Sequence, residues 1–237
     1  MKVKKEEKIE KLIKLGVLVC NKGCNANCSF CAGKQHRTKT PFDFNRFESI
    51  LKENRNIQEI SISGGGEPLL QPEDISKTLD IIKQSNLPNL KSIKLYTNGI
   101  LLKESISFLK MCKSKGLTHL YVTVHNIDPE ISRTTLHSKE LPPTMEEIRY
   151  IGEETELLIR INIPIFKEGI NTIEKLNEMK NALYNSGLTN ISYWIIRMND
   201  DTRDSDLKPV FNLDEPVYNN IKQTLFPNGE LRFDWCN

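Results

Sequence analysis

The chain has 237 residues, of which 38% are hydrophobic and 27% charged, which is typical of an ordinary globular protein. Its 33 basic and 31 acidic residues give a net charge of +2, which excludes a strong overall attraction to nucleic acid. We expect no membrane partner, because no apolar run approaches the roughly 20 residues of a membrane-spanning helix and no signal peptide opens the chain. The expected location is therefore the cytoplasm, where clustered cysteines favour metal binding over disulfides.

The first 15 residues are predicted to form a lysine-rich N-terminal helix. Glutamates lie between the lysines, so the pattern favours a solvated helix face, although docking of an acidic electron donor is an alternative. The lysines are Lys2, Lys4, Lys5, Lys8, Lys11 and Lys14.

After residue 15, strand and helix patterns alternate about six times, with a period of about 30–35 residues. The predicted strands are 16–20, 57–63, 91–96, 118–124, 157–163 (stopped at Pro164) and 190–196. The predicted helices are 42–54, 72–82, 100–115, 143–153 and 171–185. Such alternation predicts a parallel sheet with helical crossovers, but it does not separate an open doubly wound sheet from a barrel-like one.

Residues suited to chemistry follow the ends of the first four predicted strands. They are Cys24 to Cys31, Gly64 to Glu67, Asn98, and His125 with Asn126. Both kinds of parallel sheet place their sites at the carboxyl ends of the strands. The sequence therefore predicts one site at this edge.

Cys24, Cys28 and Cys31 are spaced as potential metal ligands. A structural zinc site would need a fourth ligand, which Cys20 or His36 would have to supply. Cys20, however, ends a predicted strand and is better explained as a core residue. Three thiolates on a [4Fe–4S] cluster would instead leave one iron open to an exogenous ligand.

The segment from Ser63 to Pro68 places three glycines and Glu67 after the second predicted strand. Glycines let the backbone approach a ligand closely. A phosphate loop would carry a lysine here, whereas carbonyl groups and a carboxylate suit a cation such as the ammonium group of an amino acid.

Together, the Cys-x3-Cys-x2-Cys loop and the Gly-Gly-Glu-Pro loop resemble the signature of the radical S-adenosylmethionine (SAM) superfamily. The resemblance covers about residues 16–197 and implies a partial (β/α)6 TIM barrel with a short C-terminal extension. It also implies two cofactors, a [4Fe–4S] cluster and SAM. In that family, reductive cleavage of SAM gives a 5′-deoxyadenosyl radical, which abstracts hydrogen from a substrate.

The resemblance implies roles for individual residues. Cys24, Cys28 and Cys31 would be the metal ligands. Phe30 would lie by the adenine, and the methionine amino group would meet Gly65, Gly66 and Glu67.

Four further cofactor contacts follow from the same resemblance, and catalytic residues are not identified. Asn98 would face SAM, Asn162 would bind the ribose, and His125 would contact the ribose or the substrate. Arg197 would pair with the SAM carboxylate or with an acidic substrate.

Residues 198–237 are predicted to be a C-terminal tail that packs near the barrel mouth. Pro227 to Cys236 resembles the turn and strand that lead into auxiliary-cluster domains of larger family members. Cys236 is the one cysteine in this segment, and Cys20 and Cys112 lie in a predicted strand and a predicted helix, so we expect no second cluster.

The leading hypothesis is a radical SAM enzyme of oxidoreductase or lyase type, acting on a small molecule, nucleotide or peptide. Its electron donor would be a flavodoxin or ferredoxin. The alternatives are a glycyl-radical-enzyme activating enzyme and, in another class, a non-catalytic zinc or iron–sulfur protein. The cysteine loop is followed by three cationic or titratable residues, Lys34, His36 and Arg37. They either form a solvated loop or act as cations that raise the cluster potential or bind an anionic substrate.

Overall fold

The computed structural model describes residues 12–196, 207 and 222–232. Within these residues the strands join into one eight-stranded sheet. The strands are β1 (Lys14–Leu18), β2 (Glu59–Ser63), β3 (Ser92–Thr97), β4 (His119–Thr123), β5 (Leu158–Ile165), β6 (Ile191–Ile195), β7 (Lys222–Leu225) and β8 (Leu231–Arg232). The α-helices in this part of the chain are α1 (Phe44–Glu53), α2 (Pro72–Ser85), α3 (Ile106–Ser114), α4 (Pro129–Leu136), α5 (Met145–Thr155) and α6 (Ile173–Asn185).

The strands lie in the spatial order β6-β5-β4-β3-β2-β1-β7-β8. Neighbouring strands are parallel except β7 and β8, which are antiparallel. Parallel neighbours need long crossovers, and one or two α-helices lie in each crossover from β1 to β6. The sheet ends at β6 and β8 and does not close. The fold is therefore a partial (β/α)6 TIM barrel, with β7 and β8 as a short C-terminal extension beside β1.

The two faces of the sheet differ in polarity. In β2, Ile60 and Ile62 are fully buried in the aliphatic core, whereas the alternating Glu59, Ser61 and Ser63 are partly exposed. Alternate side chains on a strand point to opposite faces. One face of the sheet therefore packs in the core, and the concave face is left for polar groups.

Helix α2 shows how local sequence sets the element boundaries. It begins with Pro72 at the first helical turn, and Glu73 and Asp74 follow there, where acidic side chains interact favourably with the helix dipole. It ends at Asn86, whose φ of 45° is left-handed, a conformation that asparagine tolerates.

The helix predicted over 100–115 begins later, at Ile106. Gly99 has a φ of 87°, and the Ile100 N–H is bonded to the Asn98 side chain at 3.0 Å. The Leu102 N–H then donates to the Gly99 carbonyl at 3.1 Å. These two hydrogen bonds span two and three residues, whereas an α-helical bond spans four. The regular α-helix therefore begins only after them.

Strand β5 does not stop at Pro164, as the sequence pattern predicted, but continues to Ile165. On the β6 side, the Ile161 N–H donates to the Asn190 carbonyl. On the β4 side, the Asn162 carbonyl accepts from the Val124 N–H. By this alternation Pro164 faces the β4 side, beyond the end of β4 at Thr123. Its missing N–H therefore ends the bonding towards β4, while β5 continues beside β6 through the pairing of Ile165 with Ile195.

Helix α4 was not predicted, although its start signal is present in the sequence. The Asp128 carboxylate caps it by accepting from the Glu130 N–H at 2.8 Å, and Pro129 occupies the first turn. Predicted helix 143–153 corresponds to α5, whose capping box joins Thr144 and Glu147.

The division into residues 1–15, 16–197 and 198–237 stays a prediction. Residues 1–11, Arg197 and residues 233–237, which include Cys236, lie outside the described residues. Lys14 and Leu15 belong to β1 rather than to a helix. In the part of the chain that is described, no helix has the length and apolar character needed to cross a bilayer.

Candidate active site

The cysteine loop lies at the carboxyl end of β1. Cys24, Cys28 and Cys31 are free thiols and partly exposed. The loop is anchored to the end of α4, because the Asn27 N–H donates to the Leu136 carbonyl at 2.8 Å. The strand and the anchored loop thus present the three thiols at one edge of the sheet.

The three thiols influence one another electrostatically. Burial raises the pKa of Cys28 to about 12, with further contributions from Cys31 and Cys24. Burial is also the main reason that the pKa of Cys24 is raised. Metal ligation needs the thiolate, and a bound cation supplies the charge that stabilises it.

Among the described residues, no three Cys, His, Asp or Glu side chains converge closely enough to hold a single metal ion. In a cubane cluster each cysteine binds a different iron, so the sulfurs need not meet at one point. Cys20, considered as a fourth zinc ligand, is completely buried in the core. The ring of His36, the other candidate, packs edge-on against Phe226 with 5.2 Å between centroids.

The glycine loop packs directly against the cysteine loop. The Gly66 N–H donates to the Cys20 carbonyl at 3.1 Å, and the Glu67 N–H donates to the Gly23 carbonyl at 2.8 Å. A Cβ on Gly64 would lie 1.7 Å from the Cys20 carbonyl oxygen, and one on Gly66 would lie 1.8 Å from that of Gly23. The sequence predicted that these glycines let a ligand come close. The structure shows that they also let the two loops pack closely against each other.

The backbone of Gly65 is held on both sides. Its N–H donates to the Asn21 side chain at 2.6 Å, and its carbonyl accepts from Arg37 Nε at 2.9 Å. Arg37 thus helps to order the glycine loop, a contact that the sequence did not indicate.

Glu67 is a buried carboxylate at the centre of a hydrogen-bond network, with 2% of its surface exposed. Its Oε1 accepts from the Thr97 hydroxyl at 2.7 Å and from the Leu69 N–H at 3.0 Å, and its Oε2 accepts from the Asn98 N–H at 2.9 Å. Burial raises its pKa despite these three bonds. A carboxylate has about four acceptor positions, which leaves room for one more donor.

Asn98 joins the glycine loop to the cysteine loop. Its Oδ1 accepts from the Ile100 N–H, which orients the amide group. Its Nδ2 then donates to Asn25 Oδ1 at 2.8 Å and lies 3.7 Å from Cys24 Sγ. Asn98 therefore contacts a predicted metal ligand, in addition to its predicted place beside SAM.

Phe30 and His125 form an aromatic cluster with Phe166. The centroid of Phe30 lies 4.4 Å from that of Phe166 and 5.6 Å from that of His125. Burial lowers the pKa of His125 to about 4, and its Nδ1 has no hydrogen-bond partner among the described residues. His125 is thus a neutral ring with an unsatisfied buried atom.

Asn162 on β5 has a similarly unsatisfied group. Its Oδ1 accepts from the Ser192 hydroxyl at 2.7 Å, whereas its buried Nδ2 has no partner among the described residues. Buried polar atoms are usually satisfied, so these atoms mark positions where a bound ligand can complete the bonding.

The structure brings the predicted cysteine, glycine and Asn98 residues into one connected network. Sequence reasoning missed the supporting residues Asn21, Thr97 and Asn25. Thr97 and Asn25 each lie next to a predicted site residue, which is a weak signal. No sequence signal pointed to Asn21, because its role depends on a hydrogen bond to Gly65, 44 residues away.

Residues 18–176 match the sequence model of the Radical SAM superfamily. The chain belongs to this superfamily. Its cofactors are those of the family, a [4Fe–4S] cluster and SAM. The free thiols of the cysteine loop and the unsatisfied atoms of Asn162 and His125 fit such a pair.

Two curated relatives show similar degrees of identity. The chain is 28% identical over 191 residues to the GTP 3′,8-cyclase of Aquifex aeolicus (strain VF5), covering 77% of this chain and 57% of that protein. It is 30% identical over 191 residues to the FeMo cofactor biosynthesis protein NifB of Methanocaldococcus jannaschii, covering 68% of this chain and 61% of that protein. The chain thus spans little more than half the length of these relatives.

A solved structure shows the same fold. SuiB of Streptococcus suis, in its structure bound to S-adenosylmethionine, matches with a TM-score of 0.63 and 17% identity. The match covers 94% of this chain and 58% of SuiB.

Proposed function

We propose that this chain is a radical SAM enzyme of oxidoreductase or lyase type. The observation that carries the proposal is the packing of the loop that bears the three free thiols against the Gly64–Glu67 loop at the carboxyl edge of the sheet. The cluster and SAM together supply, when bound, a 5′-deoxyadenosyl radical that abstracts hydrogen from a substrate. A reductant such as flavodoxin or ferredoxin would deliver the electron.

The chain's own residues would bind and orient these groups. Cys24, Cys28 and Cys31 would hold the cluster. Glu67 would accept a bond from the methionine ammonium group at its remaining acceptor position, with Gly65 and Gly66 alongside. The loop-to-loop bonds would keep this acceptor in register with the thiols.

Further contacts would come from the other strands. The aromatic cluster of Phe30 would contact the adenine, and Asn162 Nδ2 and His125 Nδ1 would meet polar groups of the ribose or substrate. Asn98 would hold the two loops together beside SAM. Arg197 remains a predicted carboxylate partner outside the described residues.

The substrate is not assigned by similarity. The two relatives are about equally similar to this chain, yet one is named for cyclising GTP and the other for FeMo cofactor biosynthesis. What they share with this chain supports the SAM chemistry, and the substrate stays a small molecule, a nucleotide or a peptide. A glycyl-radical-enzyme activating enzyme and a non-catalytic zinc or iron–sulfur protein are the alternative hypotheses.

The test compares Cys28→Ala with Cys112→Ala after anaerobic reconstitution with iron and sulfide. Cys112 is buried on α3, so its substitution removes a thiol outside the site. With dithionite and SAM, the unsubstituted protein and Cys112→Ala should release 5′-deoxyadenosine, and Cys28→Ala should release none while keeping a native circular dichroism spectrum.

Two outcomes would contradict the proposal. A folded Cys28→Ala that still cleaves SAM would show that the ligand assignment is wrong. A colourless unsubstituted protein that retains one zinc would favour the non-catalytic alternative.

A further inference from the structure

The concave face of the sheet carries a guanidinium group, that of Arg160 on β5. Arg160 is in register with Tyr121 on β4. Its Nε donates to the Ser192 hydroxyl at 3.2 Å, its Nη1 lies 3.5 Å from the Tyr121 hydroxyl, and its guanidinium carbon lies 5.4 Å from the Tyr121 ring centroid. Every one of these partners is neutral.

The charges around Arg160 do not balance within the described residues. Glu59 supplies a carboxylate on this face, but Lys94 binds it at 2.6 Å and Lys14 approaches it to 3.7 Å. No described carboxylate lies within ion-pair distance of Arg160. Burial and the Lys94 charge lower the pKa of His119, so this ring adds no charge at neutral pH. The result is excess positive charge on a partly buried surface.

Two tyrosines lie on the same face of the sheet, since Tyr96 is in register with Tyr121 and Tyr121 with Arg160. The rings of Tyr96 and Tyr121 lie 4.8 Å apart by centroid. Burial and the neighbouring Tyr121 raise the pKa of Tyr96 to about 12, so its phenol remains a proton donor at neutral pH. The Ser192 hydroxyl accepts from Arg160 and donates to Asn162, so it orients the guanidinium group and is not a donor to a ligand. A guanidinium fork with neutral hydroxyl donors matches the geometry of an oxygen anion.

The position of Arg160 separates this group from the predicted SAM contacts. Asn162 follows two residues later on the same face of β5, which is roughly 6–7 Å nearer the carboxyl edge. Ser192 connects the two levels, since it accepts from Arg160 and donates to Asn162. Arg160 thus lies one layer of side chains below the level of the cysteine and glycine loops.

We propose that Arg160, with the Tyr121 and Tyr96 hydroxyls and with Ser192 orienting the guanidinium group, binds an oxygen anion of the substrate, a phosphate or a carboxylate. Uncompensated positive charge in a partly desolvated site gains free energy from such a partner. A substrate anchored here would extend from the concave face towards the cofactor level. The identification of the ligand as the substrate rests on the proposed function. The anion site itself is defined by Arg160 and its neighbours.

The test measures binding by anaerobic titration calorimetry on the full chain, reconstituted with cluster and SAM. Inorganic phosphate and GTP, compared with uncharged guanosine, probe the phosphate arm, and succinate probes the carboxylate arm. Arg160→Gln should weaken binding of at least one anionic probe by about 10- to 100-fold, the range for a hydrogen bond to a charged group.

Three comparisons make the result specific. Arg160→Lys keeps the charge but loses the fork, so it should give an intermediate affinity. Arg149→Gln, which removes the same charge from the exposed face of α5, should bind the probes as the unsubstituted protein does. The dissociation constant for SAM should stay within about twofold in Arg160→Gln, because Arg160 lies below the cofactor level.

Equal binding of every anionic probe by Arg160→Gln and the unsubstituted protein, including no binding by either, would overturn the proposal. An equal loss of SAM affinity in Arg160→Gln would also overturn it, by assigning the guanidinium to the SAM carboxylate. The readout requires no turnover. Anion binding without SAM cleavage would therefore refute the proposed function alone, whereas cleavage without anion binding would refute this inference alone.

Discussion

At the scale of single residues, the Gly64–Gly66 segment depends on the absence of side chains. Gly64 faces the Cys20 carbonyl so closely that an added Cβ would lie 1.7 Å from its oxygen. Both groups are backbone, so neither can move aside by changing rotamer. The contact between the cysteine and glycine loops is therefore possible because these glycines lack a Cβ.

Gly64→Ala should lower the free energy of unfolding by about 1–3 kcal/mol, the usual cost of forcing extra volume into a packed site. Urea unfolding measures the loss. The matched control is Gly23→Ala, because a Cβ there would have no atom within 4 Å. The control should stay within about 0.5 kcal/mol of the unsubstituted protein, and equal stability of the two variants would refute the packing argument.

At the scale of elements, helix α4 supports the cysteine loop. Its last residue, Leu136, accepts from the Asn27 N–H. Leu136 also packs with Ala26 and Ile100, against which Cys24 and Cys28 lie. The stability of α4 is therefore coupled to the position of the thiols.

Asp128→Ala should lower stability by about 1 kcal/mol, because it removes the N-cap of α4. Amide exchange should speed up in 130–136 and at Asn27, which bonds to the end of that helix. Asp128→Asn keeps a capping oxygen and should show little change in either measurement. Faster exchange in α4 with unchanged exchange at Asn27 would show that helix and loop are not coupled.

At the scale of the whole molecule, folding removes His125 from water, leaving it 6% exposed. Burial lowers its pKa to about 4, whereas an unfolded histidine titrates near 6.5. Between these values the unfolded chain binds more protons than the folded one. Stability from this group is therefore present above about pH 6.5 and is lost as the pH falls towards 4.

His125→Phe should flatten this dependence. The difference between a pKa of about 4 and one near 6.5 corresponds to about 3 kcal/mol. The unsubstituted protein should therefore lose about that much more stability than the variant between pH 7 and pH 4. Urea unfolding of the cluster-free full chain across this range gives the comparison. Parallel pH profiles for the two proteins would show that His125 is not buried in its neutral form.

The sequence by itself determined the alternation of strands and helices, the family motifs and the edge at which they meet. These follow from local signals: apolar periodicity, turn residues, and the spacing of Cys24, Cys28 and Cys31 within a single loop. The same local reasoning missed α4 and stopped β5 at Pro164, because the cost of a proline depends on whether a neighbouring strand needs its N–H.

The tertiary structure decided what depends on residues distant in the chain. The Gly65 bond to Asn21 and the contact between Asn98 and Cys24 join segments 44 and 74 residues apart, and no local pattern records them. The charge imbalance at Arg160 likewise appears when β1 to β5 align Lys14, Glu59 and Lys94 on one face. Local sequence specifies which groups are present, whereas strand register determines which of them share a low-dielectric space.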